Sequence, residues 1–123
     1  MSDRITLRGM RFEGCHGWSE EERALPQELE VDLVVEADLA AGGRSDDVAD
    51  TIDYGPLVER CRAVVEDRSF RLLEAIAAAI ADSVLTSATR ATAVTVRVRK
   101  LAVPLDADLD WAEVEIRRER ATA

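Results

Sequence analysis

Lysine is almost absent from this chain: of sixteen basic residues fifteen are arginine, and Lys100 stands alone. Histidine and tyrosine are as scarce, His16 and Tyr54 being single copies. The two cysteines, Cys15 and Cys61, are too few for a disulfide framework or a closed zinc site, and they read as reduced thiols of a cytosolic protein. No apolar run approaches the roughly 18 residues of a membrane helix, and the first ten residues, MSDRITLRGM, lack the apolar segment of a signal peptide. Positive charge is short overall: 25 acidic residues against 16 basic ones leave a net charge of −9, the wrong sign for a nucleic-acid partner. No glycine-rich phosphate loop, zinc motif or nucleotide fingerprint occurs. The expectation is a soluble, cytoplasmic protein with neither membrane nor nucleic-acid partners, its 123 residues forming one domain over 1–123.

What the chain does have is alternation. Over Arg4–Glu13, Ile5 and Leu7 share one phase and, after a break at Gly9, Met10 and Phe12 take the other, which predicts a strand. Glu28–Leu39 is a cleaner strand, with Leu29, Val31, Leu33, Val35, Ala37 and Leu39 on one side and Glu30, Asp32, Glu36 and Asp38 mostly on the other. The connection CHGWSEEERALP is far longer than a hairpin needs, a length often found in functional loops.

After a Gly-Gly turn and the acidic run RSDDVADTIDYG the spacing turns helical, with Leu57, Val58, Cys61, Val64 and Val65 on one face and Asp53 available as N-cap. Ser69 is positioned to cap a second helix from Phe70 to about Ser87. Thr92–Lys100 and Trp111–Arg118 supply two more strands. The order ββααββ suggests an α+β layer, an antiparallel sheet with both helices on one face. Its two open edges call for closure by oligomerisation.

Within TVRVRKLAVP the lone lysine continues the phase of Val94, Val96 and Val98, while Arg97 and Arg99 take the other. Arginine stays protonated, whereas a desolvated lysine can give and take a proton, so an acid–base role is one reading. The other is a strand that ends at Val98, with Lys100 snorkelling at its rim. Tyr54 opens the first helix, where its phenol could meet a ligand or merely reach water. Glu74 borders the apolar stripe of the second helix, and its two-oxygen fork suits a ligand edge with adjacent N–H donors, unless solvent takes it. His16, between Cys15 and Gly17, reads as structural or loop-positioning. The triplet Glu20, Glu21, Glu22 reads as a solvated loop from which one carboxylate could reach a site.

Taken in order along almost the whole chain, LRGMRFEGCHGW with Glu22 five residues beyond Gly17, PQELEVDLVVEADL, SDDVADTIDYG, LLEAIAAAIAD and VRVRK resemble dihydroneopterin aldolase of folate biosynthesis. The resemblance implies the tunnelling fold, in which four ββααββ subunits close their sheets into a barrel and two such rings stack as an octamer. Active sites would lie between subunits of the homo-oligomer, tetramer or octamer.

The implied reaction splits a small-molecule pterin, 7,8-dihydroneopterin, into 6-hydroxymethyl-7,8-dihydropterin and glycolaldehyde, with epimerisation at C2′ as a side reaction. It implies no cofactor and no metal, because the substrate's own C6=N5 imine takes the electrons. Carried over by residue, Lys100 would be the general acid/base and Glu74 would anchor the pterin edge with Leu73 adding main-chain contact. Tyr54 would come from the neighbouring subunit, and Glu22 would bind the trihydroxypropyl chain or orient water near Lys100.

This chain departs from the family pattern at Leu101–Leu105, where relatives often carry a proline-rich run, at Trp18, where a smaller apolar residue is usual, and at Pro26, where glycine is frequent. Two other readings remain, an epimerase of dihydroneopterin triphosphate and a non-catalytic pterin-binding module. The first calls for a basic rim around the pocket. Arg97 and Arg99 instead lie in the strand phase opposite to Lys100, and the loop near Glu22 is acidic.

Overall fold

A computed structural model describes residues 2–121. Four strands, β1 (Asp3–Gly14), β2 (Gln27–Ala37), β3 (Ala93–Lys100) and β4 (Ala112–Glu119), form one antiparallel sheet in the order β1-β2-β3-β4. Between them run two short helices, α1 (Glu20–Arg23) and α2 (Ala40–Ser45), and two long ones, α3 (Gly55–Asp67) and α4 (Leu73–Ser87).

The two-residue alternation decides which face is covered. Val31, Leu33 and Val35 of β2 pair with Val98, Val96 and Val94 of β3, and all six are fully buried under the helices. On β1 the phase change seen in the sequence is a bulge between Leu7 and Met10, where Gly9 adopts φ 74°, a conformation that favours glycine. The extra residue returns Met10 and Phe12 to the face of Ile5 and Leu7, opposite Val31 and Leu29. Leu57, Cys61, Val64 and Val65 of α3 and Ile76, Ile80 and Val84 of α4 close the core. Each fully buried aliphatic side chain contributes about 1.5–3 kcal/mol. The Cys61 thiol, pushed up to about 12 by burial, is a packing group, and Cys15 and Cys61 are both free.

The second face of the sheet carries charge. Arg99 donates to both oxygens of Asp32 at 2.7 and 2.9 Å, to Glu30 at 2.8 Å and to Glu113 at 2.5 Å. Asp32 also accepts the Gly9 N–H at 2.8 Å, so one carboxylate fastens the bulge of β1 to the centre of the sheet. Asp32 and Arg99 are buried, and their bonding holds the Asp32 carboxyl below its ordinary value and the Arg99 guanidinium above its own. A carboxylate expected on the exposed side is buried there because a cross-strand arginine covers it.

Four expectations need correction. The second helix begins at Leu73, not Phe70, and Ser69 does not cap it: its hydroxyl donates to the Cys15 carbonyl at 2.5 Å. Phe70 has its N–H on the His16 ring and its carbonyl on Gly17 N–H, so its backbone is committed to the loop before the helix starts. Gly42 and Gly43 lie inside α2 rather than in a turn, and the chain reverses at Asp46 with φ 55°. The second strand stops at Ala37, because Asp38 accepts from Ala40 N–H and Leu39 donates to Asp3. Asp53 is not the N-cap of α3: Tyr54 holds that position with no side-chain cap bond, and Asp53 accepts from Gly55 N–H at 3.1 Å one residue before it. Among the described residues no helix is long and apolar enough to cross a membrane.

Replacing Asp32 by alanine leaves Arg99 short of its buried partner and Gly9 N–H without an acceptor. The expected loss is about 3 kcal/mol, read as a lower urea midpoint at unchanged slope and fixed protein concentration. A midpoint within error of the parent would show that Glu30 and Glu113 alone neutralise Arg99.

Candidate active site

The strand does not end at Val98. β3 continues to Lys100, which pairs in register with Leu29 and lies on the helix-covered face with its side chain only 13% exposed. Its ammonium donates to Glu22 Oε2 at 2.6 Å. Snorkelling is thus excluded: the lysine of the valine phase is turned inward to meet a carboxylate from a loop 78 positions away.

Local chemistry places that carboxylate. Ser19 caps α1 by accepting from Glu22 N–H at 3.2 Å, and Glu22 Oε1 accepts Trp18 N–H at 3.2 Å. Gln27 donates to the Glu22 carbonyl at 3.4 Å and to the His16 carbonyl, while Arg23 donates to the Gly17 and Trp18 carbonyls at 2.9 Å each. Glu20 and Glu21 point to solvent. Hydrogen bonding from Lys100, opposed by partial burial and helped by the lysine's charge and Trp18 N–H, holds the Glu22 carboxyl below the usual carboxylate value.

Gly17 and Gln27 are contributors that the sequence did not single out. A Cβ on Gly17 would lie 2.5 Å from Glu22 Cβ and Cδ, and its φ of 155° favours glycine. Glycine beside the lone histidine was the signal; the clash with Glu22 is not visible from sequence.

Glu74 is exposed in the first turn of α4, next to half-buried Leu73. This helix has no side-chain cap: the Leu72 carbonyl accepts the N–H groups of Ala75 and Ile76 at 3.1 and 3.3 Å, and the bond from Gly17 N–H to the Phe70 carbonyl sets the start of the helix toward the end of the sheet that carries Lys100. Tyr54 is elsewhere. It opens α3, whose 13 residues span about 20 Å and run toward the Lys100 end, where Val65 meets His16. Tyr54 is 57% exposed beside a cleft of about 720 Å³ shared with Leu39, Val48 and Ile52. One chain therefore brings Lys100, Glu22, Leu73 and Glu74 to one end and leaves Tyr54 at the other. Among the described residues no three His, Cys, Asp or Glu side chains converge as metal ligands.

The overall architecture has a close counterpart in the crystal structure of Escherichia coli dihydroneopterin aldolase in complex with neopterin. The two superpose with a TM-score of 0.86 at 25% identity, over 94% of this chain and 98% of that one. The class is thus the tunnelling fold, an α+β layer of four antiparallel strands and two long helices. The family model for dihydroneopterin aldolase matches residues 5–117. Dihydroneopterin aldolase from Methylorubrum extorquens is 40% identical over 98% of this chain and 93% of its own length. Dihydroneopterin aldolase 2 from Arabidopsis thaliana is 39% identical over 99% and 94%. The chain belongs to the dihydroneopterin aldolase family.

Gly17→Ala should drive Glu22 away from Lys100. The Glu22 carboxyl, followed by carbon NMR, should then titrate closer to its ordinary value than in the parent. An unchanged titration would mean that the loop absorbs the Cβ without moving the carboxylate.

Proposed function

We propose that the protein is a 7,8-dihydroneopterin aldolase, residues 1–123 acting as a single cytoplasmic domain, and that the Lys100–Glu22 pair is the observation that carries the assignment. The loop that carries Glu22 is bonded to Phe70, three residues before α4, and Glu74 in the first turn of that helix has two acceptor oxygens to offer adjacent N–H donors. The amino-pyrimidinone edge of a dihydropterin presents such donors. Paired charge-assisted hydrogen bonds to Glu74, with main-chain contact at Leu73, hold the ring and fix its side chain near Lys100.

The chemistry follows from that placement. Lys100, acting through water oriented by Glu22, takes the 2′-hydroxyl proton. The C1′–C2′ bond breaks, glycolaldehyde leaves, and the electron pair passes into the C6=N5 imine of the substrate. Reprotonation at C1′, with the Tyr54 phenol of a neighbouring subunit as donor, releases 6-hydroxymethyl-7,8-dihydropterin. The substrate supplies its own electron sink, so the protein contributes orientation and proton transfer. Return of the fragments with the opposite face presented gives C2′ epimerisation as a side reaction.

The placement of Tyr54 supports a site shared between subunits of a homo-oligomer, tetramer or octamer, because no single chain assembles it. β1 and β4 each leave one edge unpaired, the arrangement that ring closure would satisfy. The aldolase reading is favoured over a triphosphate epimerase because Arg97 and Arg99 are bonded to Glu115, Asp32, Glu30 and Glu113 on the opposite face of the sheet from Lys100. Those cations are not at the pocket rim, where three phosphates would need them.

Purified protein incubated anaerobically with 7,8-dihydroneopterin should form 6-hydroxymethyl-7,8-dihydropterin and glycolaldehyde, separable by chromatography. Lys100→Arg keeps the charge but not the proton exchange, and should lower kcat by about 10²–10⁴-fold while pterin affinity changes little. Affinity without turnover in both forms would make the protein a binding module instead.

The shared site has its own test. Lys100→Arg and Tyr54→Phe oligomers, each impaired alone, should regain activity when dissociated and reassembled together, since some interfaces then combine an intact Lys100 with an intact Tyr54. Mixed oligomers no more active than their parents would place both residues of each site in one chain.

A further inference from the structure

The only histidine is buried at the junction of three segments, and every polar atom of its ring is used. Its Nδ1 accepts Phe70 N–H at 3.0 Å, which leaves Nε2 to carry the proton and donate to the Val65 carbonyl at 2.7 Å. The ring stacks on Phe70, with centroids 5.9 Å apart and planes at 15°. The surrounding backbone repeats the connection: Gly17 N–H donates to the Phe70 carbonyl at 3.0 Å, Ser69 donates to the Cys15 carbonyl, and Gln27 bridges the carbonyls of His16 and Glu22. Gly14 is required by the same arrangement, since a Cβ there would fall 2.2 Å from the Val65 carbonyl oxygen and 2.6 Å from His16 Nε2.

These contacts join the loop that carries Glu22 to the segment that ends at Leu73 and Glu74. We propose that neutral His16 is a positioning residue that holds the Glu22–Lys100 pair in register with the Glu74 end of α4, and that its protonation releases this clamp. The proposal rests on the aldolase reading for its effect on turnover. The reason for release is stereochemical. An imidazolium has a hydrogen on both nitrogens, so Nδ1–H would face Phe70 N–H, donor against donor in a buried site.

The titratable and charged groups on the segments packed around the ring are Lys100 on β3, Glu13 at the end of β1, Cys15, Glu22 and Arg23 on the loop, Glu66, Asp67 and Arg68 at the end of α3, and Arg71 beside Phe70, with the Arg68 guanidinium 4.7 Å from the centre of the Phe70 ring. Burial lowers the affinity of His16 for a proton, the donated bond to Val65 opposes this, and the positive charge of Lys100 lowers it further. The sign follows. The unfolded chain takes up a proton near pH 6.5 and the folded one only below that, so the clamp is intact above this range and is lost as pH falls through the folded value. The Glu22 carboxyl is itself held below its ordinary value, first by the hydrogen bond from Lys100.

The test follows a single imidazole signal, which is unambiguous because the chain has one histidine. In the parent oligomer, proton NMR should give one His16 titration below the ordinary imidazole value. The Phe70 and Gly17 amide shifts should move with the same midpoint, and kcat/KM should fall tenfold per pH unit beneath it. His16→Gln retains one donor and one acceptor but cannot titrate, so its kcat should be lower while the acid limb of kcat/KM moves down toward the carboxylate range. An acid limb that stays in place in the variant would overturn the proposal. So would a parent in which His16 titrates without moving the Phe70 and Gly17 amides. The amide shifts need no turnover, so a parent that lacks aldolase activity would defeat the functional reading while the clamp is still decided.

Discussion

Leu29 pairs with Lys100 across β2 and β3, and much of this molecule depends on that register. Because side chains alternate, a slip of one residue would present Arg99 to the helices and turn Lys100 toward the charged face. Two sets of contacts resist the slip. On the covered face the valines of β3 lie beside those of β2 and under α4, where aliphatic burial is the dominant stabilising term. On the other face Arg99 is fixed by Asp32, Glu30 and Glu113, a set of charges that only one register brings together. The residue beside the lysine therefore shares with the buried valines the work of keeping the lysine in place.

From that fixed point the site is assembled by short-range devices. A serine cap and a main-chain N–H aim Glu22 at Lys100, two glycines leave room for the carboxylate and for an imidazole, and the imidazole ties the loop to the start of α4. The loop is long because it must cross the end of the sheet, make one helical turn and return as β2 with Glu22 facing inward. Tyr54 lies outside this assembly, at the far end of α3, which is why a complete site requires a second copy in the functional reading proposed above.

Much of the architecture could be read from the chain. Period-two runs identified all four strands, including the phase change at Gly9, because a bulge leaves its mark in the order of residues. The long helices were legible from their apolar stripes, but the start of the second was misplaced by three residues. Ser69 has the chemistry of a cap and its hydroxyl was drawn instead to Cys15, a partner 54 positions away. Asp32 was misjudged for a similar reason: alternation assigns a face, but it does not reveal that the opposing strand will cover the carboxylate with an arginine.

For the site, the sequence by itself determined which chemistry was available: one lysine in an apolar phase, one histidine flanked by small residues, and carboxylates at a loop and a helix start. It also carried the family resemblance, since the motifs lie in order along the chain. Only the tertiary structure decided that the lysine is inward and bonded directly to Glu22, which the resemblance had singled out, and that both ring nitrogens of the histidine are bonded, one to Phe70 N–H and one to the Val65 carbonyl. The physical reason is distance along the chain. Periodicity and capping act over a few residues, whereas the Lys100–Glu22 and His16–Phe70 contacts span 78 and 54, and exist only once the sheet register and helix packing have set the geometry between them.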